Sequence, residues 1–165
     1  MYRRILVPVD GSATSGEALA TAITLANTFG SRLRRIHVME DAARLPGYDR
    51  FADYCGELLR VMRENAAKLL DEGIALARTA GVEVDNMLFD RPGERLGDTV
   101  ADAVKLWGGA DLIVLGTHGR RGIGRVLMGR GADQIIRVAP VPVPVLVVRS
   151  SPLPAAPAVS ARPAR

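Results

Sequence analysis

Four consecutive apolar residues, Leu112 to Leu115, stand between Asp111 and a glycine-rich stretch, GTHGRRGIGRVLMGR. A strand with no polar side chain has no face to offer water and must be covered on both sides. The arrangement that does this is a parallel sheet with helices above and below it. A second nearly continuous apolar run, Ile5 to Val9, makes the same demand near the N-terminus.

The segments between these runs carry the helical period. Ala18, Leu19, Ala22, Ile23, Leu25, Ala26 and Phe29 form one stripe, opened by a T-x-x-E capping pattern at Thr14 and Glu17 and closed by Gly30. Leu33 to Met39 reads as a second strand that tolerates Arg34 and Arg35 near its start. Glu40 to Tyr54 lacks a period, contains Pro46-Gly47, and reads as a loop or lid. A long helix follows from about Gly56 to Ala80, with Leu58, Leu59, Met62, Ala66, Leu69, Leu70, Ile74 and Ala77 inward and Gly81 as its stop. Val82 to Phe89 is the third strand, Glu94 to Trp107 the third helix, Gly131 to Val138 the fourth helix and Val141 to Val148 the last strand. Pro142 and Pro144 each remove a ladder donor, which places that strand at an edge with an irregular start.

The alternation predicts an α/β fold: an open, doubly wound, five-stranded parallel sheet with helices on both faces. Only 4% of residues are aromatic against 48% hydrophobic, so Val, Leu, Ile and Ala must build the core. The length of 165 residues suits one domain, expected over 1–150, with the Pro/Ala-rich residues 151–165 read as a disordered tail. Twenty-two basic and 18 acidic residues leave a formal charge of +4, much of it in the glycine stretch and near the C-terminus. Neither a recognition-helix pattern nor aromatic–basic interleaving accompanies it, so no nucleic-acid partner is expected. No apolar run reaches the ~18 residues of a membrane span. A single cysteine, Cys55, excludes an internal disulfide, and with no signal-peptide pattern a soluble cytoplasmic chain is expected.

Ligands of doubly wound sheets bind beyond the carboxyl ends of the strands. Two such ends carry chemistry here: Val9-Asp10-Gly11-Ser12, and the loop from Gly116 with Arg120, Arg121, Arg125 and Arg130. Glycines with positive charge ahead of a helix suit a phosphate. The same glycines could serve tight turn geometry alone, and the arginines could be solvated surface charge. The loop is not a P-loop, because Arg125 and Val126 stand where Lys and Ser/Thr are needed. The dinucleotide fingerprint is absent after the first strand. His118 could donate to a phosphate or serve only the loop's own structure. With two histidines and one cysteine, a His/Cys metal site is not expected.

The spacing G-x2-G-x9-G at Gly116, Gly119 and Gly129, with ILVPVDGS at the start and APVPVPVLVVR near the end, resembles the universal stress protein family over residues 1–150. The resemblance implies a small stress-response protein that binds an adenine nucleotide, ATP with or without Mg2+, and dimerises through its last strand at Val145, Leu146, Val147 and Val148. The binding set it implies is Pro8, Val9, Asp10, Ser12, Val38, Gly116, His118, Gly119, Arg120, Gly129, Arg130 and Gly131. Asp10 would hold the nucleoside or a metal, and Val38 would meet the adenine through its backbone. Two departures stand out: Arg130 replaces the Ser or Thr that follows the last glycine, and Ala132 replaces a frequent hydroxyl. Arg130 either grips phosphate or faces solvent. In the second case the chain is a non-nucleotide-binding dimerisation module. No nucleophile, base and oxyanion site assemble, so slow ATP hydrolysis is the most catalysis expected.

Overall fold

The computed structural model describes residues 1–39, 55–117 and 129–149. Strands and helices alternate through them: β1 (Arg4–Pro8), α1 (Ala13–Phe29), β2 (Arg32–Val38), α2 (Cys55–Thr79), β3 (Val84–Phe89), α3 (Leu96–Leu106), β4 (Leu112–Gly116), α4 (Arg130–Val138) and β5 (Val145–Val148). All strand pairs are parallel, in the order β3-β2-β1-β4-β5. The chain starts at the centre, winds out to β3, then crosses back to build β4 and β5 on the other side of β1.

The apolar runs do what their composition requires. Ile5 and Val7 pack with Val114 under Ala18 and Leu19 of α1 and Leu70 and Ala77 of α2. Their immediate neighbours Leu6 and Ile113 pack on the opposite face with Val100 and Ala103 of α3 and Ile135 of α4. Helices therefore cover both faces of the two central strands, and α1 with α2 lies opposite α3 with α4.

Helix ends follow local chemistry, with one correction. The N-cap of α1 is Ser12, whose hydroxyl accepts the Ser15 N–H at 3.2 Å. The Thr14/Glu17 box does not form, because Thr14 is already inside the helix and its side chain is buried. Gly30 ends α1 in the left-handed conformation at φ 65°, as its position predicts. Gly81 closes α2 in the same way at φ 76°, and Val82 donates back to Ala77 O, so β3 begins at Val84 rather than Val82.

The last strand is likewise shorter than expected. Residues 141–144 form a turn, with Val143 N–H on Pro140 O at 2.7 Å, and pairing with β4 starts at Val145. Prolines 142 and 144 have no N–H to contribute to a ladder. β5 does lie at the sheet edge.

Arg35 is the main surprise. Its side chain is 1% exposed, on the α2 face of β2. Its guanidinium donates to Leu70 O and, at 3.0 Å, to Leu69 O, both in the middle of α2, while its Nε has no acceptor among the described residues. Burial pushes its pKa down to about 10. The space it occupies exists because position 73 is glycine: a Cβ there would overlap the guanidinium. Arg34, one residue earlier, points to the other face, where it pairs with Asp85 at 2.6 Å and lies 4.8 Å over the Trp107 ring.

The expectations for Glu40–Tyr54, for loop residues 118–128 and for the tail from residue 151 lie outside the described residues. No helix among the described residues is long and apolar enough to cross a membrane.

Candidate functional site at the carboxyl ends of strands one and four

The two chemically suggestive strand ends become neighbours because β1 and β4 are adjacent. They lie where the winding reverses: the connection from β1 leads to β2 on one side, while β4 flanks β1 on the other. Such a switch point leaves a crevice at the carboxyl ends, since the chains leaving the two strands turn to opposite faces.

The shortness of the β1–β4 ladder has a chemical cause in the sequence. β1 pairs with β2 along its whole length, from Arg4↔Arg32 to Pro8↔Ile36, but with β4 only at Ile5↔Leu112 and Leu6↔Ile113. Backbone groups along a strand alternate in direction. Arg4 O accepts from Asp111 N–H on the β4 side, and Val9 N–H donates to Ile36 O on the β2 side. By that alternation position 8 faces β4, and there the residue is proline, with no N–H to give. The β1–β4 ladder therefore has no donor from β1 beyond Leu6.

The β1 rim is built by a tight turn. Gly11 adopts φ 80°, a left-handed conformation that a side chain would oppose. Asp10 Oδ1 accepts the Ser12 N–H at 2.9 Å, so the carboxylate is oriented by the turn it starts. Ser12 Oγ reaches Thr14 Oγ1 at 3.2 Å as well as capping α1. Pro8, Asp10 and Ser12 are half-buried at this rim, whereas Val9 is in the core. Val9 O meets His37 Nδ1 at 2.7 Å, and since a carbonyl only accepts, that ring nitrogen carries the proton. Val38 ends β2 opposite Phe89, half-buried on the α3/α4 face.

The β4 rim is Gly116 with Thr117. Gly116 lies directly against the first turn of α1: a Cβ there would come 2.8 Å from Thr14 C and O and 2.9 Å from Thr14 Cβ. Thr117 N–H donates to Val148 O in β5 at 2.9 Å, and Thr117 O accepts from Gly129 N–H at 2.6 Å. These bonds close the base of the loop. Gly129 is the N-cap of α4, extended at φ −74°, with its own amide committed to that closure. By helix geometry the first-turn amides of α4, from Arg130 to Ala132, have no intrahelical acceptor. They are the groups this end of the loop can offer an anion.

The two departures from the family pattern fall in different surroundings. Arg130 is exposed at the first position of α4. Ala132 is buried with Val100 and Ile135 in the core, so its side chain belongs to packing. Gly131 is close to α3, with Leu96 Cδ2 3.0 Å from where its Cβ would be. His118, Gly119 and Arg120 lie outside the described residues. Among the described residues no three His, Cys, Asp or Glu side chains gather in a metal-binding group.

Thr14, His37 and Thr117 were not singled out by the sequence as parts of this region. Their partners at Gly116, Val9, Val148 and Gly129 are contributed by other elements or lie across a loop, and no local pattern signals such contacts.

An all-parallel 3-2-1-4-5 sheet with helices on both faces defines the doubly wound, Rossmann-like class of α/β proteins. Within that class the chain belongs to the universal stress protein family, whose family model matches residues 1–149. A universal stress protein of Methanocaldococcus jannaschii is 33% identical over 150 residues, covering 90% of this chain and 83% of its own length. The structure of universal stress protein UspA from Lactobacillus plantarum superposes with a TM-score of 0.74 at 26% identity, covering 90% of this chain and 98% of that one. The universal stress protein from Archaeoglobus fulgidus in complex with dAMP shares the fold, with a TM-score of 0.60 at 23% identity and coverage of 89% and 98%.

Proposed function

We propose that this chain binds an adenine nucleotide, ATP with Mg2+, in the crevice between the carboxyl ends of β1 and β4, and works as a cytoplasmic stress-response homodimer. The observation that carries the reading is the juxtaposition of Asp10–Ser12 with Gly116 and the N-terminus of α4 at one switch point. The Asp10 carboxylate would receive ribose hydroxyls or, with the phosphates, Mg2+. The α4 amides and Arg130 would receive phosphate. Three relatives of the fold are described in complex with dAMP, with cAMP and with AMP, which supports an adenine nucleotide as the ligand class. Calorimetric titration with ATP and Mg2+ tests the reading: heat of binding with a rise in Tm is expected, and the absence of both overturns it.

A second reading, a dimerisation module without nucleotide, draws on the exposed Arg130 and the core-facing Ala132, neither of which supplies the hydroxyl expected beside phosphate. The same titration separates the two. The dimer surface we assign is β5, an edge strand whose Leu146 is exposed and whose unpaired backbone would otherwise invite aggregation. Sedimentation at micromolar concentration should give a dimer, and a monomer would remove this part of the proposal.

A further inference from the structure

Gly116 opens the loop pattern, and the obvious role for it is close backbone approach to a phosphate. Its surroundings point elsewhere. It is absent from the glycines at positive φ, which among the described residues are Gly11, Gly30, Gly81, Gly93, Gly108 and Gly109. An alanine could adopt its backbone conformation, so conformational freedom is not what the position needs. What it needs is space: the volume of a side chain at 116 is taken by Thr14 of α1, whose carbonyl C and O lie 2.8 Å from an ideal Cβ. Ordinary contacts between such atoms begin at about 3.5 Å. The obstacle is backbone, and both Thr14 and Ser15 are buried, so no side-chain rotation relieves it.

We infer that Gly116 is a positioning residue for the nucleotide crevice: its missing side chain lets the first turn of α1 seat on the end of β4, and that seating fixes the Asp10–Ser12 turn. The link runs through three bonds already described. Thr14 Oγ1 meets Ser12 Oγ, Ser12 Oγ accepts from Ser15 N–H, and Ser12 N–H holds Asp10 Oδ1. A Cβ at 116 pushes this turn away from β4 and moves the carboxylate with it. The consequence concerns the nucleoside half of the ligand, not only the phosphates. The inference rests on the nucleotide reading for its ligand effect and stands apart from it for its structural effect.

The test compares wild type, G116A, T14G and the T14G/G116A double variant, each first shown to be folded by circular dichroism. In the ligand-free proteins, backbone amide NMR shifts of G116A are expected to move at Asp10 to Gly16. The Kd values for adenosine, AMP and ATP should then rise by one common factor, about tenfold or more for a shift of this size. T14G removes one of the three overlaps and also the Oγ1 link to Ser12, so it should itself move the Asp10 to Gly16 shifts, and G116A should move them less in the T14G background than in wild type. Unchanged ligand-free shifts at Asp10 to Gly16 would overturn the inference, and so would a loss confined to AMP and ATP, which is the mark of direct phosphate contact. If wild type binds none of the three ligands, the nucleotide reading falls while the ligand-free spectra still decide the seating. If G116A alone does not fold, the double variant is read against T14G, and identical shifts at Asp10 to Gly16 refute the inference.

Discussion

Replacing Gly73 by alanine should destabilise the protein, although the same change inside a helix ordinarily helps. Gly73 lies in the third quarter of α2, and glycine there carries a penalty of about 0.5–1 kcal/mol relative to alanine. The alanine Cβ would fall on the Arg35 guanidinium. A surface arginine would swing aside at little cost, but this one is 1% exposed and enclosed by α2 and β2. Moving it breaks its bonds to Leu69 O and Leu70 O, and hydrogen bonds made by a charged group contribute about 1.5–3 kcal/mol each. With both bonds lost and the helix gain subtracted, the net loss is about 2–5.5 kcal/mol. In a domain of this size each kcal/mol is worth roughly 2–4 °C in Tm. Urea unfolding of four proteins reads the effect: wild type, G73A, R35M and G73A/R35M. G73A should lower the midpoint in the wild-type background and raise it by about 0.5–1 kcal/mol equivalent in the R35M background, where the guanidinium is gone. That reversal of sign is the diagnostic. A midpoint raised by G73A alone, or an equal loss in both backgrounds, would refute the account of Arg35.

Two smaller effects follow from the termini and the surface. Ser12→Ala removes the acceptor of the Ser15 N–H and should cost about 1 kcal/mol in urea unfolding, while Ser12→Asn, another good cap, stays near wild type; equal losses would mean that capping is not the cause. The Asp102 carboxyl is held below its ordinary value by hydrogen bonds from Lys105 and then Arg91. A carboxyl with a folded pKa below its unfolded value of 3.8 contributes stability above that pH and loses it as pH falls through the folded value. Asp102→Asn should therefore lower stability at neutral pH and converge on wild type in acid, which flattens the acid limb of the stability curve, and an NMR titration placing Asp102 at or above 3.8 would contradict this.

The sheet was legible because its signal is strong and local. Continuous apolar runs such as Leu112–Leu115 admit few solutions, and glycines such as Gly30 and Gly81 stop helices where their conformational freedom is used. The errors arose where one chemistry competes with another. Thr14 matches a capping box by spacing, but Ser12 already follows the Asp10 turn and takes the cap first. Val141 and Val143 look like strand, but the prolines between and after them remove donors and bend the chain into a turn. Arg35 reads in the sequence only as tolerated near the start of its strand, because the glycine that accommodates it lies on another element. At the candidate site, both rims could be named from glycine and aspartate patterns. That they share one crevice depended on strand order, which residue patterns do not encode.

Pro8 has a consequence for substitution. Any other residue at position 8 restores an N–H on the β4 side, where β1 offers no donor beyond Leu6. The β1–β4 ladder can then extend toward the strand ends that carry Asp10 and Gly116. A change at a residue with no charge and no polar side chain would thereby alter the backbone beneath the candidate site.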